Sequence, residues 1–319
     1  MVCVTWSRLM QGAGIRAFGA AVEILDLPES YELQETDVLI EVRAAGVGNW
    51  DEIARNGGWD LGIVPPMALG VEASGIVIAV GSSVHRFAEA DEVLTHPVPL
   101  RHQGAWAERL VAVEATVARK PPDMSWPTAA LFPVPALTAG QVIHHWLQVQ
   151  RGEPLLIHGA GGVTGGLLVA VAASAGARVV AVASSQDRER IVAYGAQVVL
   201  DYHDTSWPAQ ARAIFGPHGA PAAVNAVRGG AARLIAMVAD GGRLVTTTSD
   251  GPPPERGVTV TNFYVSSDGE LLEKLAIDFV ARHLTISLAR HDRLPDAAAA
   301  LAAVVSGHAG GGVVLVPNS

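Results

Sequence analysis

The chain predicts an α/β protein in which a doubly wound parallel sheet follows a smaller, mostly β region. Three observations carry this. A short apolar run, Pro154 to His158, enters a glycine turn, Gly159-Ala160-Gly161-Gly162-Val163-Thr164-Gly165-Gly166, then a small-residue segment of helical period and a second apolar run ending at Ala183. After it, strand and helix patterns alternate to about residue 261, as in parallel strands joined by helical crossovers. Before it, short strand patterns are divided by Gly and Pro.

Taken in order, residues 1–122 carry strand patterns at 38–45, 74–80, 92–95 and 106–113. Residues 123–261 hold the glycine turn and further strand patterns at 198–200, 222–225 and 242–247, with a stiff Gly251-Pro252-Pro253-Pro254 loop. The last region, 262–319, has helical patterns at 269–282 and 295–305 and a closing strand at 312–316. Neither a fixed-period repeat nor a low-complexity tract interrupts these regions.

The glycine turn is the main functional signal. Glycines allow a sharp strand-to-helix turn and close approach of the backbone to a pyrophosphate, whose charge rests on the exposed amides of the following helix. Thr164 breaks the strict G-x-G-x-x-G pattern, but Gly159, Gly162 and Gly165 fit G-x-x-G-x-x-G, with Val163 and Thr164 opening the helix. An Ala/Gly-rich core helix is the competing reading. The second apolar run ends in Ser184-Ser185-Gln186-Asp187-Arg188, without an acid directly at the strand end to hold a ribose hydroxyl. Ser184, Ser185 and Arg188 suit a 2′-phosphate, so the expected cofactor is NADPH. Alternatively, Ser185 caps the next helix and Arg188 is solvated.

Composition narrows the classes. Of 319 residues, 50% are hydrophobic and 17% charged, and the net charge of −9 offers no basic surface for a phosphate backbone, so nucleic acid is not an expected partner. Cys3 is the single cysteine, which excludes an internal disulfide and a cysteine-rich zinc lobe. Arg178 interrupts the longest apolar stretch before membrane-spanning length, and the first residues lack a signal-peptide pattern; a cytoplasmic location is expected. Two lysines, Lys120 and Lys274, against 20 arginines suggest a GC-rich, bacterial coding genome.

The chain resembles the zinc-independent quinone oxidoreductase (zeta-crystallin-like) branch of the medium-chain dehydrogenase/reductases, which also includes enoyl reductases. The resemblance runs through Val42-Arg43-Ala44-Ala45-Gly46-Val47, Ala68-Leu69-Gly70-Val71-Glu72-Ala73-Ser74-Gly75, Gly104-Ala105-Trp106-Ala107-Glu108, Ala136-Leu137-Thr138-Ala139, the glycine turn, Gly241-Gly242-Arg243-Leu244-Val245 and the Gly-rich segment after Ser306. It implies a GroES-like catalytic domain over 1–122, a Rossmann NADP-binding domain over 123–261, a C-terminal return to the catalytic domain over 262–319, and a homodimer.

Zinc-containing relatives place metal ligands where this chain has Gly48 and Val71, neither of which has a donor side chain, so no metal is expected. His203 between Asp201 and Asp204 reads as a polar turn. Without a Lewis acid, hydride delivery to a quinone or an α,β-unsaturated carbonyl is favoured over alcohol oxidation. The catalytic candidates are Asn49, as an amide donor to the developing oxyanion, and Asp51, which would orient it; Trp50 and Trp59 are candidate walls for the acceptor. A structural turn is the alternative for this segment. The resemblance further implies cofactor contacts at Thr138, Tyr202, Thr246, Thr247 and Phe263-Tyr264-Val265, while His308 stands where a basic tail residue is common. Two other functions stay open: an enoyl reductase tailoring a polyketide, and a non-catalytic NADP-binding sensor or structural protein.

Overall fold

The computed structural model describes residues 2–4, 9–28 and 31–317. They form two compact units, one holding the chain up to Val134 together with that from Ser267 onward, the other Pro135–Ser266. The divisions thus fall at 134 and 266 rather than at 122 and 261. Side-chain anchoring is the reason: Ser74 donates its hydroxyl to the Trp126 carbonyl at 2.8 Å, and Glu72 accepts from the Val134 amide at 2.9 Å, tying 123–134 to the first unit.

In the first unit, β1 (Val2–Val4) pairs with β4 (Tyr31–Leu33), and β2 (Leu9–Ile15) lies between β3 (Glu23–Pro28) and β6 (Met67–Ala68). The main sheet runs β10 (Val117–Arg119), β8 (Glu92–Thr95), β7 (Ala73–Val80), β5 (Asp37–Val47), β18 (Gly312–Val316) and β17 (Leu288–Arg293), with β9 (Arg109–Val113) also on β5. β5 is central because Val38, Leu39, Ile40, Val42 and Ala44 are all buried, as expected of a strand covered on both faces. The last strand returns to it: β18 pairs antiparallel with β5, Val313 opposite Val47. Helices α1 (Asn49–Arg55), α2 (Trp126–Ala130), α8 (Gly269–Ala281) and α9 (Ala297–Val305) complete the unit, and α3 (Pro133–Gln141) begins at its boundary.

The second unit is a six-stranded parallel sheet in the order β13 (Val198–Asp201), β12 (Arg178–Ala183), β11 (Pro154–His158), β14 (Ala220–Asn225), β15 (Val238–Thr246) and β16 (Thr259–Asn262). Crossovers run through α4 (Val163–Ser174), α5 (Arg188–Ala193), α6 (Trp207–Phe215) and α7 (Ala231–Leu234). The order reverses between β11 and β14, and at such a switch point the carboxyl ends of the strands open a binding crevice. This is the doubly wound fold the sequence predicts.

Helix α4 explains its own position. Residues Gly165 to Ala172 are all buried, so the segment has no polar face and can exist only when covered on every side. On the other face of the sheet, Trp207 packs in a core of Leu156, Val180, Leu234 and Leu244, and its ring stacks on His158 at 5.4 Å between centroids. Trp207→Ala is expected to cost about 3–5 kcal/mol of stability, the range for truncating a buried large aromatic. Urea unfolding measures this; a loss under about 1 kcal/mol would contradict the packing.

Candidate functional site

The candidate residues occupy a place in each unit. In the second unit, the strand-to-helix turn shows what each glycine does. Gly159 adopts φ +87°, and its amide and that of Ala160 both donate to the Val182 carbonyl, at 3.1 and 3.0 Å, pinning the turn to β12. A β-carbon on Gly165 would lie 2.7 Å from the Gly159 carbonyl carbon and 2.9 Å from the Ala160 α-carbon, so helix and turn touch backbone to backbone. Gly162 is the N-cap of α4, and a β-carbon there would meet only the Gly159 oxygen, at 3.7 Å. The helix therefore presents its first amides to open space, with no acidic side chain in its first turn. Those features fit a dinucleotide pyrophosphate.

The segment after β12, where the 2′-phosphate contacts were expected, is organised differently from expectation. Ser184 donates its hydroxyl to Asp187 at 2.8 Å, and Ser185 is hydrogen-bonded to the carboxylate of Asp201. Neither serine is held open for a phosphate in the free chain, and Arg188 is exposed on α5. The group that reaches the turn is Arg190: its Nη2 donates to the Gly161 carbonyl and to Asp187 Oδ1, both at 2.6 Å. Asp187 lies over the turn as well, since a β-carbon on Gly161 would come within 2.6 Å of its Oδ2. The acid missing directly after the strand is thus supplied three residues past Ser184. The pairing of Asp187 and Arg190 at i,i+3 was the available signal.

At the ends of the central strands, Asn225 bonds His158 Nδ1 through its oxygen at 3.0 Å, and its amide donates to Thr246 at 3.1 Å and Thr248 at 3.2 Å. Thr246 and Thr248 both donate to Asp250; burial pushes the Asp250 carboxyl up, but these hydrogen bonds, with that from the Ala231 amide, hold its pKa below the ordinary value. Thr246 is fully buried in this network, so its side chain is committed to the protein, and Thr247 donates to the Asn225 carbonyl at 3.3 Å. Thr138 is buried in α3. Phe263 is buried, its ring edge-on to Trp146 at 6.5 Å, while Tyr264 is 73% exposed and Val265 half-buried. Tyr202 is exposed, with its ring 4.1 Å from that of His203. The backbone amide and ring of His203 both engage Asp201, at 2.9 and 3.0 Å, which is a polar turn.

In the first unit, β5 ends at Val47, Gly48 caps α1, and Asn49 follows as an exposed first helical residue. Asp51 is fully buried, and its Oδ2 accepts from the Gly48 amide at 2.8 Å. It therefore braces the loop that carries Asn49. Burial raises its pKa to about 8, against the opposing hydrogen bonds from the Gly48 and Gly70 amides. Glu72 is buried beside it and is also pushed well up, first by burial; the Val134 amide opposes this and Asp51 adds to it. His96 donates Nδ1–H to the Val71 carbonyl at 2.7 Å, and burial lowers its pKa to about 4, so it is neutral. Trp59 lies against His96, ring centroids 5.9 Å apart. Asp51 Oδ1, Glu72 Oε1, His96 Nε2 and Trp50 Nε1 are buried without a hydrogen-bond partner in the structure.

A zinc ion of the type held by related dehydrogenases does not fit these residues. The Trp50 indole fills the space that a side chain on Gly48 would need, and Val71 is buried with only its carbonyl in polar contact. Among the described residues, no three His, Cys, Asp or Glu side chains are grouped to hold a metal. The described residues also include no helix long and apolar enough to cross a membrane.

Two measurements check this geometry. Gly165→Ala is expected to abolish dinucleotide binding, because the new methyl must push α4 off Gly159; unchanged binding in calorimetry would refute the close contact. The second concerns pH. Asp51 is ionised in the unfolded chain above its ordinary 3.8 but protonated in the fold to about 8, so the native state binds the extra proton and stability falls as pH rises through that window. His96 acts oppositely, but only below its unfolded pKa of 6.5. Between pH 6.5 and 8 the carboxylates alone act. There the urea midpoint of the wild type is expected to fall, and that of Asp51→Asn to fall less; parallel slopes would place an ionised Asp51 in the core.

Residues 34–122 match the family described as alcohol dehydrogenase GroES-like domain, and 163–268 that described as zinc-binding dehydrogenase. The chain is 27% identical over 253 residues to a quinone oxidoreductase of Sus scrofa, covering 78% of this chain and 76% of that one. It is 32% identical over 200 residues to erythronolide synthase EryA2 of Saccharopolyspora erythraea, covering 62% of this chain and 5% of that much longer protein. A solved NAD-dependent alcohol dehydrogenase superposes with TM-score 0.84 at 28% identity, covering 96% of this chain and 99% of the other. With its GroES-like unit, its Rossmann sheet and these relatives, the chain belongs to the medium-chain dehydrogenase/reductase superfamily, in the quinone oxidoreductase and enoyl reductase branch.

Proposed function

We propose that the protein is an NADPH-dependent, zinc-independent reductase that delivers hydride to a quinone or an α,β-unsaturated carbonyl. The observation that carries this reading is the Trp50 indole packed over Gly48, which leaves the first unit without a metal donor set, while the second unit keeps an intact dinucleotide turn. A bound NADPH supplies the hydride. The chain's own residues do the rest. The amides at the start of α4 hold the pyrophosphate, while Asn49, exposed and braced by Asp51, donates its amide to the oxygen on which negative charge develops. A conjugated acceptor needs no stronger acid there, because the charge forms on an oxygen remote from the carbon that takes the hydride. Trp50 and Trp59 supply flat apolar surface for the acceptor, and Thr138, Tyr202 and Phe263 to Val265 border the cofactor.

The resemblance to erythronolide synthase supports a second reading within the same chemistry, an enoyl reductase acting on a polyketide intermediate. A non-catalytic NADP-binding protein is the alternative from another class. By family resemblance the active species is a homodimer, and the reading from the sequence places it in the cytoplasm.

NADPH oxidation with a panel of acceptors tests the reaction class: enones or quinones are expected to be reduced and saturated ketones not, with turnover unchanged after prolonged chelation. Reduction of saturated ketones alone, or loss of activity on metal removal, would overturn it. Asn49→Ala is expected to lower turnover by about 10²–10³ while leaving NADPH affinity nearly intact. Equal loss of both would move Asn49 to the cofactor, and no consumption of NADPH with any acceptor would favour the non-catalytic protein.

A further inference from the structure

We infer that the acceptor carries an apolar tail beyond its carbonyl, held by Ile53 and Phe18 across the bare backbone of Gly57 and Gly58. The inference deepens the proposal that Asn49 donates to the acceptor oxygen, and rests on it. Ile53 follows Asn49 by four residues on α1, so the two side chains share one face of the helix, and both are exposed. An acceptor whose oxygen bonds Asn49 therefore has Ile53 one helical turn away, about 5–6 Å along the same face. Trp59, proposed as a wall for the acceptor, directly follows Gly58 in the chain.

Beyond Ile53 the surface stays apolar and is fixed in place. A β-carbon on Gly58 would lie 3.1 Å from Ile53 Cγ2, and one on Gly57, where φ is +75°, would lie 3.1 Å from the Phe18 ring. Ile53 and Phe18 thus rest on adjacent residues that add no side chain of their own. The glycine amides are already satisfied, since Gly57 donates to the Ala54 carbonyl at 3.0 Å and Gly58 to the Ile53 carbonyl at 2.9 Å. Phe18 is latched to the end of α1. The Gly19 amide donates to the Arg55 carbonyl at 2.8 Å, and Arg55 Nη1 donates to the carbonyls of Gly19 and Ala20 at 2.9 and 2.7 Å. The same guanidinium pairs with both oxygens of Glu52, at 2.7 and 2.8 Å, so its charge is neutralised within the helix.

The latch keeps Phe18 47% exposed, and Ile53 is 46% exposed. A neutral apolar chain laid over both removes that surface from water, and it meets neither a free backbone donor nor an unpaired charge. A charged or hydroxylated chain finds no partner in the strip and would lose its own water. Ile53 and Phe18 are therefore specificity-determining residues. They act on the length and polarity of the acceptor and take no part in hydride transfer.

The test is kcat/KM of the full chain for NADPH-dependent reduction of but-3-en-2-one, hex-1-en-3-one and oct-1-en-3-one, each kept below the concentration at which it aggregates. Full burial of a methylene is worth roughly fourfold, so each one laid on this half-open strip is expected to add about twofold. The ratio of octenone to butenone should then reach about tenfold or more. Phe18→Ser and Ile53→Ser are each expected to lower that ratio by about threefold, and the double variant to bring it close to one. Circular dichroism and the urea midpoint of each variant separate a lost contact from a lost fold, and the wild-type series stands without them. A wild-type ratio within about twofold of one overturns the inference and leaves the reductase reading standing, as does a steep ratio that both folded variants keep. A change of oligomeric state in Phe18→Ser, read by sedimentation, assigns the strip to a second copy of the chain and overturns it too. If none of the three enones consumes NADPH, enone reduction falls and the inference with it.

Discussion

The contact between the backbone of Gly159 and the α-carbon of Gly165 is the constraint on which the second unit depends. It brings the start of α4 against the end of β11 at a distance that no β-carbon survives. From that approach follow the burial of α4 over its whole circumference and the alignment of its unpaired first amides with the carboxyl end of the sheet. Two bonds from the turn to the Val182 carbonyl add β12 to the same arrangement. The anion site is a by-product of packing. It costs little to maintain in the free chain, because amides at an exposed helix start are open to water.

The first unit solves a different problem. Gly48 leaves room for the Trp50 indole, so apolar surface takes the place that a metal ligand needs. The acids that remain, Asp51 and Glu72, are held neutral by desolvation, since two ionised carboxylates buried together without a cation would be far costlier than two protonated ones. Each keeps one oxygen on a backbone amide, from Gly48 and Val134 respectively. The pair therefore serves as fixed acceptors, Asp51 for the backbone next to Asn49 and Glu72 for the start of α3, a role that does not require charge.

Legibility in the sequence followed local pattern strength. The glycine turn, α4 and the strands β8 and β18 read directly, because glycine geometry and period-specific apolar runs are properties of neighbouring residues. β17 does not read so: Leu288–Arg293 is an edge strand with mostly exposed, charged residues, and its existence depends on β18 beside it. The loop after β5 showed the position of Gly48 but not the Trp50 ring above it. After β12 the side-chain partners were not legible, since Ser185 meets Asp201 across the sheet and Ser184 meets Asp187 around a turn. The hub joining Asn225, Thr246 and Asp250 spans two strand ends, and no spacing in the chain announces it.

That hub and the Asp187–Arg190 pair share a physical logic. Both gather polar side chains at the carboxyl ends of parallel strands, where backbone carbonyls, ligand hydroxyls and phosphates all compete for donors. Asn225 settles the competition by satisfying its oxygen with His158 and its amide with Thr246 and Thr248, and the hub's one carboxylate, Asp250, is held by hydrogen bonds from both threonines. The Asp187–Arg190 pair is partly exposed, with side chains 31% and 19% accessible, and a partly solvated ion pair contributes little net stability. A bond that adds little to the fold can be exchanged for another without unfolding anything. The rigid network lies where two strand ends are held together, and the partly solvated pair lies at the strand-to-helix turn.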